Sequence, residues 1–96
     1  MREKLVGEVM GCTWADLEPH HERGALLVVS PDLDLVEVAE AVATDGADRV
    51  GAWITVGRLG RPTEGLVERW SAGVARFQFV IVQPYVLAQE LAVAEG

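Results

Sequence analysis

The sequence is poor in cysteine, in long apolar runs and in positive charge, and each shortage excludes a class of protein. Cys12 is the only cysteine among 96 residues, so no internal disulfide and no multi-cysteine metal cluster can form. No apolar run approaches the roughly 20 residues that a membrane-spanning helix needs. Residues 1–5 lack the apolar stretch of a signal peptide. We therefore expect a reduced, cytoplasmic protein.

The charge balance argues against nucleic acid as a partner. Fifteen acidic residues face eight basic ones, which gives a formal net charge of −7. Nucleic-acid affinity comes largely from cationic side chains that displace counterions from phosphates, and anionic membrane surfaces repel the same negative charge. A nucleic-acid-binding protein would need the five arginines from Arg49 to Arg76 on one face. We expect neither nucleic acid nor a membrane as partner.

The sequence does contain a globular balance of residues and several helix signals. Half of the residues are apolar and 24% are charged, which predicts a single domain over residues 1–96. Apolar residues between Leu5 and Met10 recur at helical spacing, and Gly11 should end this first helix. Thr13 then caps a second helix, which we expect to kink or break at Pro19 and to end at Gly24.

Three further helices are predicted in the middle of the chain. Asp34 and Glu37 form a capping box before the most regular apolar stripe in the sequence. Residues 50–57 repeat the helical spacing, and Thr63 caps a helix that continues to about residue 74. These helices should bury the following side chains: Leu35, Val38, Val42, Trp53, Ile54, Leu66 and Trp70.

Two segments read as strands that are covered on both faces. Ala25–Val29 is a continuous apolar run, and Phe77–Val82 is rich in β-branched and aromatic residues. Arg58–Pro62 is a short extended piece. The tail from Tyr85 to Ala94 fits a helix that begins after Pro84, which we favour, or an extended edge.

These elements predict an α+β domain with two main buried strands and a short one, covered by about five to six short helices. Phe77–Val82 carries no charge and no proline, so that strand is either central or covered by another chain. The apolar tail favours a two-fold dimer, with Tyr85, Val86 and Leu87 as interface candidates.

Four segments resemble the bacterial family known as domain of unknown function 2288. They are Thr13–Leu17, Leu33–Ala39, Val50 with Trp53, and Gln83–Glu90. Their order and spacing extend over nearly the whole chain. The resemblance implies a small stand-alone bacterial protein and carries over no catalytic residue.

The adjacent His20 and His21 are candidates for metal binding or acid–base catalysis. Neighbouring residues on a helix point about 100° apart, so the pair could hold one ion only if Pro19 breaks the helix. Asp16 and Cys12 precede His20 at four-residue intervals and could add ligands, although Cys12 lies before the predicted helix. The alternative is that both histidines are boundary residues at a helix end.

Two other polar segments have both a functional and a structural interpretation. Asp32–Glu37 lacks the glycine and the further oxygens of a calcium loop, and helix capping explains Asp34 and Glu37. Arg58 and Arg61 precede a predicted helix N-terminus, where backbone N–H groups favour anions. They predict a small anion or carboxylate site; alternatively, they belong to a solvated connector and pair with the chain's own carboxylates.

No catalytic constellation stands out, since neither serine lies in a nucleophile-elbow pattern. The leading hypothesis is a non-catalytic protein-interaction or accessory module that binds a second copy or another protein and needs no cofactor or metal. The alternative is a small enzyme or ligand-binding protein that uses His20 and His21 with nearby carboxylates, or an anion site at Arg58 and Arg61. An enzyme requires such groups to converge in one concave pocket.

Overall fold

A computed structural model of the chain describes residues 2–73 and 75–91. Within these residues the chain forms five helices and five strands. The helices are α1 (Arg2–Glu8), α2 (Trp14–Glu22), α3 (Leu35–Ala43), α4 (Ala47–Thr55) and α5 (Glu64–Ala72). The strands are β1 (Met10–Thr13), β2 (Leu26–Val29), β3 (Leu59–Gly60), β4 (Arg76–Val82) and β5 (Tyr85–Glu90).

The strands form one mixed sheet in the order β1-β4-β5-β2-β3. β5 is central: it pairs antiparallel with β4 and parallel with β2, so that Leu87 lies between Val80 and Leu27. β1 and β3 are the two edge strands, each antiparallel to its neighbour. Helices pack against both faces. The predicted α+β class is confirmed, and the sheet is larger than the sequence predicted.

The strands predicted from the apolar runs are present. β2 lies within residues 25–29, β4 contains residues 77–82, and β3 lies within the short extended piece after α4. β2 and β4 do not pair with each other, because β5 separates them. The apolar runs therefore identified the strands but not their neighbours.

The helix predicted for the C-terminal tail is wrong over the described residues, because Tyr85–Glu90 forms β5. Residues 86–89 are all buried. A strand covered on both faces needs consecutive apolar residues, here Val86, Leu87 and Ala88, and in a short segment such a run also matches helical spacing. Gln83 and Pro84 form the turn between β4 and β5, with a cis peptide bond between them. Residues 92–94 of the predicted helix lie outside the described residues.

The first helix ends earlier than predicted. α1 stops at Glu8, and Met10–Thr13 forms the edge strand β1 beside β4. Gly11 costs a helix about 1 kcal/mol relative to alanine, which favours an extended conformation for this segment. The strand then leads directly into α2, whose N-cap is Thr13 as predicted.

Each face of the sheet carries its own apolar core. One core packs under α1 and α3 and contains Leu5, Val29, Leu35, Val38, Ala39, Leu59, Val80 and Leu87. The other packs under α2 and α5 and contains Trp14, Leu17, Leu26, Trp70, Phe77, Val86 and Ala88. Alternate residues of β4 and β5 point into opposite cores, so these two strands hold the layers together.

The predicted core is correct in part. Leu35, Val38 and Trp70 are buried, while Val42, Trp53 and Leu66 are half-buried. Ile54 is 52% exposed, so its predicted burial is wrong. The reason is that α4 buries none of its residues fully and contacts the first core mainly through partly buried side chains.

α2 continues through Pro19, so the predicted break is wrong, while the alternative of a kink within the helix stays a prediction. Proline removes one hydrogen bond to the carbonyl four residues earlier, here that of Ala15. Ala15 is solvent-exposed, and water can take the place of the missing N–H. A helix on the protein surface therefore tolerates this proline.

Three helices end in the same way, with one residue in the left-handed region. These residues are Gly24, Asp45 and Gly57, with φ of 74°, 59° and 77°. In each motif the N–H of this residue and that of the next residue donate to carbonyls of the last turn. The chain thus turns back sharply after α2 into β2 and after α4 into β3.

The burial of the sheet on both faces predicts that two aliphatic truncations differ sharply in their effect on the free energy of unfolding. Leu87→Ala should lower the free energy of unfolding by about 2–5 kcal/mol, because Leu87 is fully buried at the centre of the sheet. Ile54→Ala removes the same number of carbon atoms from an exposed side chain and should cost less than about 1 kcal/mol. Urea denaturation measures both. Equal losses would contradict the placement of β5.

Candidate functional site

The two histidines lie at the C-terminal end of α2 and contact different neighbours. His20 is half-buried, and its Nδ1 accepts a hydrogen bond from the guanidinium of Arg23. His21 packs against the indole of Trp14 at a centroid distance of 5.8 Å. Among the described residues, no group of three or more histidines, cysteines and carboxylates is placed to hold a metal ion. The hypothesis that His20 and His21 bind a ligand with nearby carboxylates gains no geometric support.

The acidic segment after β2 serves local structure. Asp34 caps α3, accepting hydrogen bonds from the backbone N–H groups of Val36 (2.9 Å) and Glu37 (3.3 Å). The side chain of Glu37 pairs with Arg49 on α4. A hydrogen bond from Ser30 and the charge of Arg58 hold the pKa of Asp32 below its ordinary value. Asp32 therefore stays ionised and remains the partner of Arg58 at neutral pH.

A groove of about 660 Å³ lies beside the edge strand β3, between α5 and the end of α4. We call it the β3 groove; among its lining residues are Val28, Arg58, Leu66, Arg69, Trp70 and Glu90. Ser30, just after β2, and Glu90, the last residue of β5, both line it. The groove thus lies at the carboxyl ends of the two parallel strands, where ligands bind in open α/β sheets.

The three arginines of the β3 groove do not all point to the same place. Arg58 pairs with Asp32, and Arg69 pairs with Glu90 at 2.6 Å. These two arginines therefore lie near the carboxyl ends of β2 and β5. The guanidinium of Arg61 instead lies against Gly24, about 3.3 Å from where a Cβ would sit there. The anion site predicted at Arg58 and Arg61 stays a prediction, since both arginines line the groove. Arg58 pairs with a carboxylate of its own chain, as the alternative interpretation expects, and Arg69 is a third arginine that the sequence did not single out.

The tryptophans are largely interior residues. Trp14, Trp70 and Phe77 are buried together, with ring centroids 5.3 Å apart for the two indoles and 5.0 Å for Trp70 and Phe77. Trp53 is half-buried beneath the guanidinium of Arg49 at 5.2 Å. The indole nitrogens of Trp14 and Trp70 are buried without a hydrogen-bond partner among the described residues. Trp70 also lines the β3 groove.

Cys12 lies half-buried on β1, directly opposite Phe77. Burial and the nearby charge of Asp16 raise the pKa of the Cys12 thiol from 9.0 to about 11. Both effects disfavour the thiolate, which is the nucleophilic and metal-binding form. The Cys12 thiol is thus protonated at physiological pH.

The three interface candidates in the C-terminal segment differ in exposure. Val86 and Leu87 are buried by this chain's own strands and helices, at 3% and 0% exposure, and only Tyr85 is exposed, at 40%. β4 is also an interior strand, between β1 and β5. The unprotected strand Phe77–Val82 is therefore covered within one chain, and the argument for a dimer through this segment loses its basis.

A different part of the sheet leaves apolar surface open. Met10 lies on the edge strand β1, opposite Phe79, and the side chains of such a pair share one face. Ile81 lies two residues further along β4 on that same face. Met10 is 62% exposed, Ile81 is 47% exposed, and Phe79 is half-buried. Sequence reasoning missed this patch because it placed Met10 in a helix.

Comparison with known proteins identifies the family. The family model described as protein of unknown function DUF2288 matches residues 1–90 of the chain. The chain belongs to this family. The DUF2288 assignment agrees with the four segments on which the sequence resemblance depends. Among curated proteins none matches the chain.

A solved structure is similar in fold to this chain. The protein PA1075 from Pseudomonas aeruginosa, whose solution structure was determined by NMR, is 42% identical to this chain. The match covers 94% of this chain and 83% of that protein, with a TM-score of 0.83. Within the described residues, no helix of this chain has the length and apolar character to cross a membrane.

The raised pKa of Cys12 predicts slow alkylation that accelerates only in strong alkali. The rate of reaction with iodoacetamide, measured against pH, should have its midpoint near pH 11 in the folded protein. In urea the midpoint should fall to about 9.0, since unfolding removes both causes of the shift. Asp16→Asn should lower the folded midpoint, because it removes a repelling charge.

Glu22→Gln is the matched control for Asp16→Asn, because it makes the same charge change at the far end of α2. It should leave the alkylation midpoint unchanged. Circular dichroism verifies that each variant is folded. A wild-type midpoint near pH 9 would contradict the environment described for Cys12.

Proposed function

We propose that this DUF2288 protein is a non-catalytic interaction module that binds a second copy of itself through the edge strand β1. The observation that carries the proposal is that β1 is an open edge without charge or proline, beside exposed apolar side chains. Natural edge strands are normally kept very short or protected by charges, prolines, bulges or a covering element, and β1 has only its length of four residues as such a protection. Strand addition to such an edge is a recurrent mode of protein recognition.

The backbone of β1 supplies the first support. In the described sheet β1 pairs only with β4, so its outer row of N–H and C=O groups faces away from the sheet. Gly11 and Thr13 are exposed, and the segment Met10–Thr13 contains no charged side chain. An incoming strand would meet neither a salt bridge nor a proline.

The apolar patch of Met10, Phe79 and Ile81 supplies the second support. Burying exposed apolar area stabilises association by roughly 25 cal/mol for each Å² removed from water. The patch adjoins the edge of β1, so one partner can pair with the backbone and cover these side chains together. Apolar patches next to open hydrogen-bonding groups are typical of interaction sites.

The self-complementarity of an antiparallel edge favours a second copy as the occupant. A two-fold axis perpendicular to the sheet makes β1 antiparallel to its symmetry mate and keeps the same face of each sheet on the same side. The two Met10 side chains then lie on one surface of a continuous sheet. Closed two-fold dimers are the commonest soluble assemblies.

The non-catalytic part of the proposal has independent support. His20 and His21 face different neighbours, Cys12 is a neutral thiol, and Asp32 and Asp34 serve structural contacts. An active site needs several such groups within reach of one reacting atom. Among the described residues these polar side chains have local structural partners instead.

The dimer can be tested by sedimentation equilibrium from micromolar to millimolar concentrations. Wild-type protein should approach twice the 10.4 kDa chain mass, and added salt should strengthen association by screening the net charge of −7 on each chain. Met10→Lys and Ile81→Lys should each weaken association at least about tenfold, because they bury a charge in the junction. Val56→Lys is the matched control, since Val56 is 65% exposed on the loop after α4.

Amide hydrogen exchange gives a second readout. Residues 10–13 should become more protected as protein concentration rises, because pairing of β1 closes their open backbone groups. A monomer at millimolar concentration would refute self-association. A dimer that Val56→Lys weakens as much as Met10→Lys would place the interface elsewhere.

A further inference from the structure

We infer that the β3 groove binds a small organic carboxylate that has an apolar body, with Arg58 and Arg69 holding the carboxylate. This site lies at the opposite sheet edge from β1 and is independent of self-association. At about 660 Å³ the groove is within the range of small-molecule sites. Its position at the carboxyl ends of β2 and β5 is that of ligand sites in open α/β sheets.

Charge complementarity identifies an anion as the ligand. The whole chain has 15 acidic and eight basic residues, yet its groove is lined by three arginines and one acidic residue, Glu90. When Asp32, the partner of Arg58, is counted as well, the groove keeps an excess of one positive charge. Arg58 and Arg69 belong to the same end of the groove: the carbonyl of Arg58 accepts from the N–H of Ser30 (2.8 Å), and Glu90, the partner of Arg69, follows Gln89, which lies opposite Val29. Guanidinium groups match the planar, two-oxygen geometry of a carboxylate.

Arg58 is held in position before any ligand binds. It directly follows Gly57, whose left-handed conformation ends α4, and its backbone N–H donates to the carbonyl of Trp53 (2.8 Å). Its side chain pairs with Asp32, which in turn accepts a hydrogen bond from Ser30. An arginine offers five N–H donors, so this ion pair leaves donors for a ligand.

Arg69 has the same kind of support. It pairs with Glu90 at 2.6 Å, and its side chain is 60% exposed. The side chain of Glu90 is only 27% exposed and keeps its pair with Arg69, so a ligand carboxylate would share the exposed guanidinium with Glu90 through its remaining N–H donors. Arg58 and Arg69 thus keep N–H donors for a ligand carboxylate in addition to their own ion pairs.

The walls of the groove suit an apolar body. Val28, Leu66 and Trp70 belong to the second core and line its inner side, and Ile54 lines its outer side with half of its surface exposed. A hydrocarbon chain placed there removes apolar surface on both partners from water. Inorganic anions would use the arginines but leave these walls uncovered.

Calorimetric titration with decanoate, decanol and acetate separates the two halves of the ligand. Decanoate should bind at one site per chain, whereas decanol lacks the charge and acetate lacks the apolar body, so each should bind at least about tenfold more weakly. Arg58→Gln should weaken decanoate binding at least about tenfold, since it removes a charged hydrogen bond. Arg49→Gln is the matched control, an exposed, ion-paired arginine outside the groove.

A second pair of variants tests the apolar wall without disturbing the core. Ile54→Glu should weaken decanoate binding because it adds negative charge to an exposed groove residue, and Val56→Glu should not. Equal binding of decanol and decanoate would overturn the carboxylate assignment. Absence of saturable decanoate binding, or equal effects of Arg58→Gln and Arg49→Gln, would overturn the site itself.

Discussion

The fold depends on the placement of β5 between β4 and β2. This strand completes the sheet, and it is the only one that joins an antiparallel hairpin to a parallel neighbour within the described residues. Gln89 on β5 is buried although it is polar, and it holds the strand in place. Its side-chain nitrogen donates to the carbonyls of Ser30 (2.8 Å) and Leu33 (2.6 Å). Its Oε1 accepts from Gln78 on β4 at 2.7 Å. Burying an amide is costly unless it is hydrogen-bonded in this way.

The hydrogen bonds of Gln89 also help to position the residues that line the β3 groove. Gln89 fixes the connection after β2, which contains Ser30 and Asp32, and Asp32 pairs with Arg58. The next residue along β5 is Glu90, the partner of Arg69. The positions of Arg58 and Arg69 therefore depend on the register of one central strand. A shift of β5 by one residue would turn the side chains of Gln89 and Glu90 to the opposite faces of the sheet.

Local signals in the sequence predicted local structure well. The caps at Thr13, Asp34 and Thr63 are all present, and Gly24 ends α2, because these features depend on side chains within a few residues of the helix end. The helix predicted over Tyr85–Glu90 is wrong because the burial of this segment on both faces comes from elements that are distant in sequence. Helical spacing and a fully buried strand give the same pattern over so few residues.

The candidate site shows the same division between local and distant information. Arg58 and Arg61 are close in sequence, and their position before α5 suggested one anion site. Because β3 runs antiparallel to β2, Arg61 lies near Gly24 instead. Arg69, in the last turn of α5, lies nearer to the end of the groove that contains Arg58. No local pattern marks Arg69, since its role depends on where α5 crosses the sheet.

The order of the strands separates the two proposed binding surfaces physically. β1 and β3 are opposite edges of a five-stranded sheet, so four strand spacings, about 19 Å in total, lie between them. This separation is about twice the distance over which salt screens exposed charges under physiological conditions. An anion in the β3 groove therefore adds little repulsion at the β1 edge. Any coupling between the two surfaces would have to pass through the packing of β4, β5 and β2, where Gln89 and the two apolar cores hold a single arrangement.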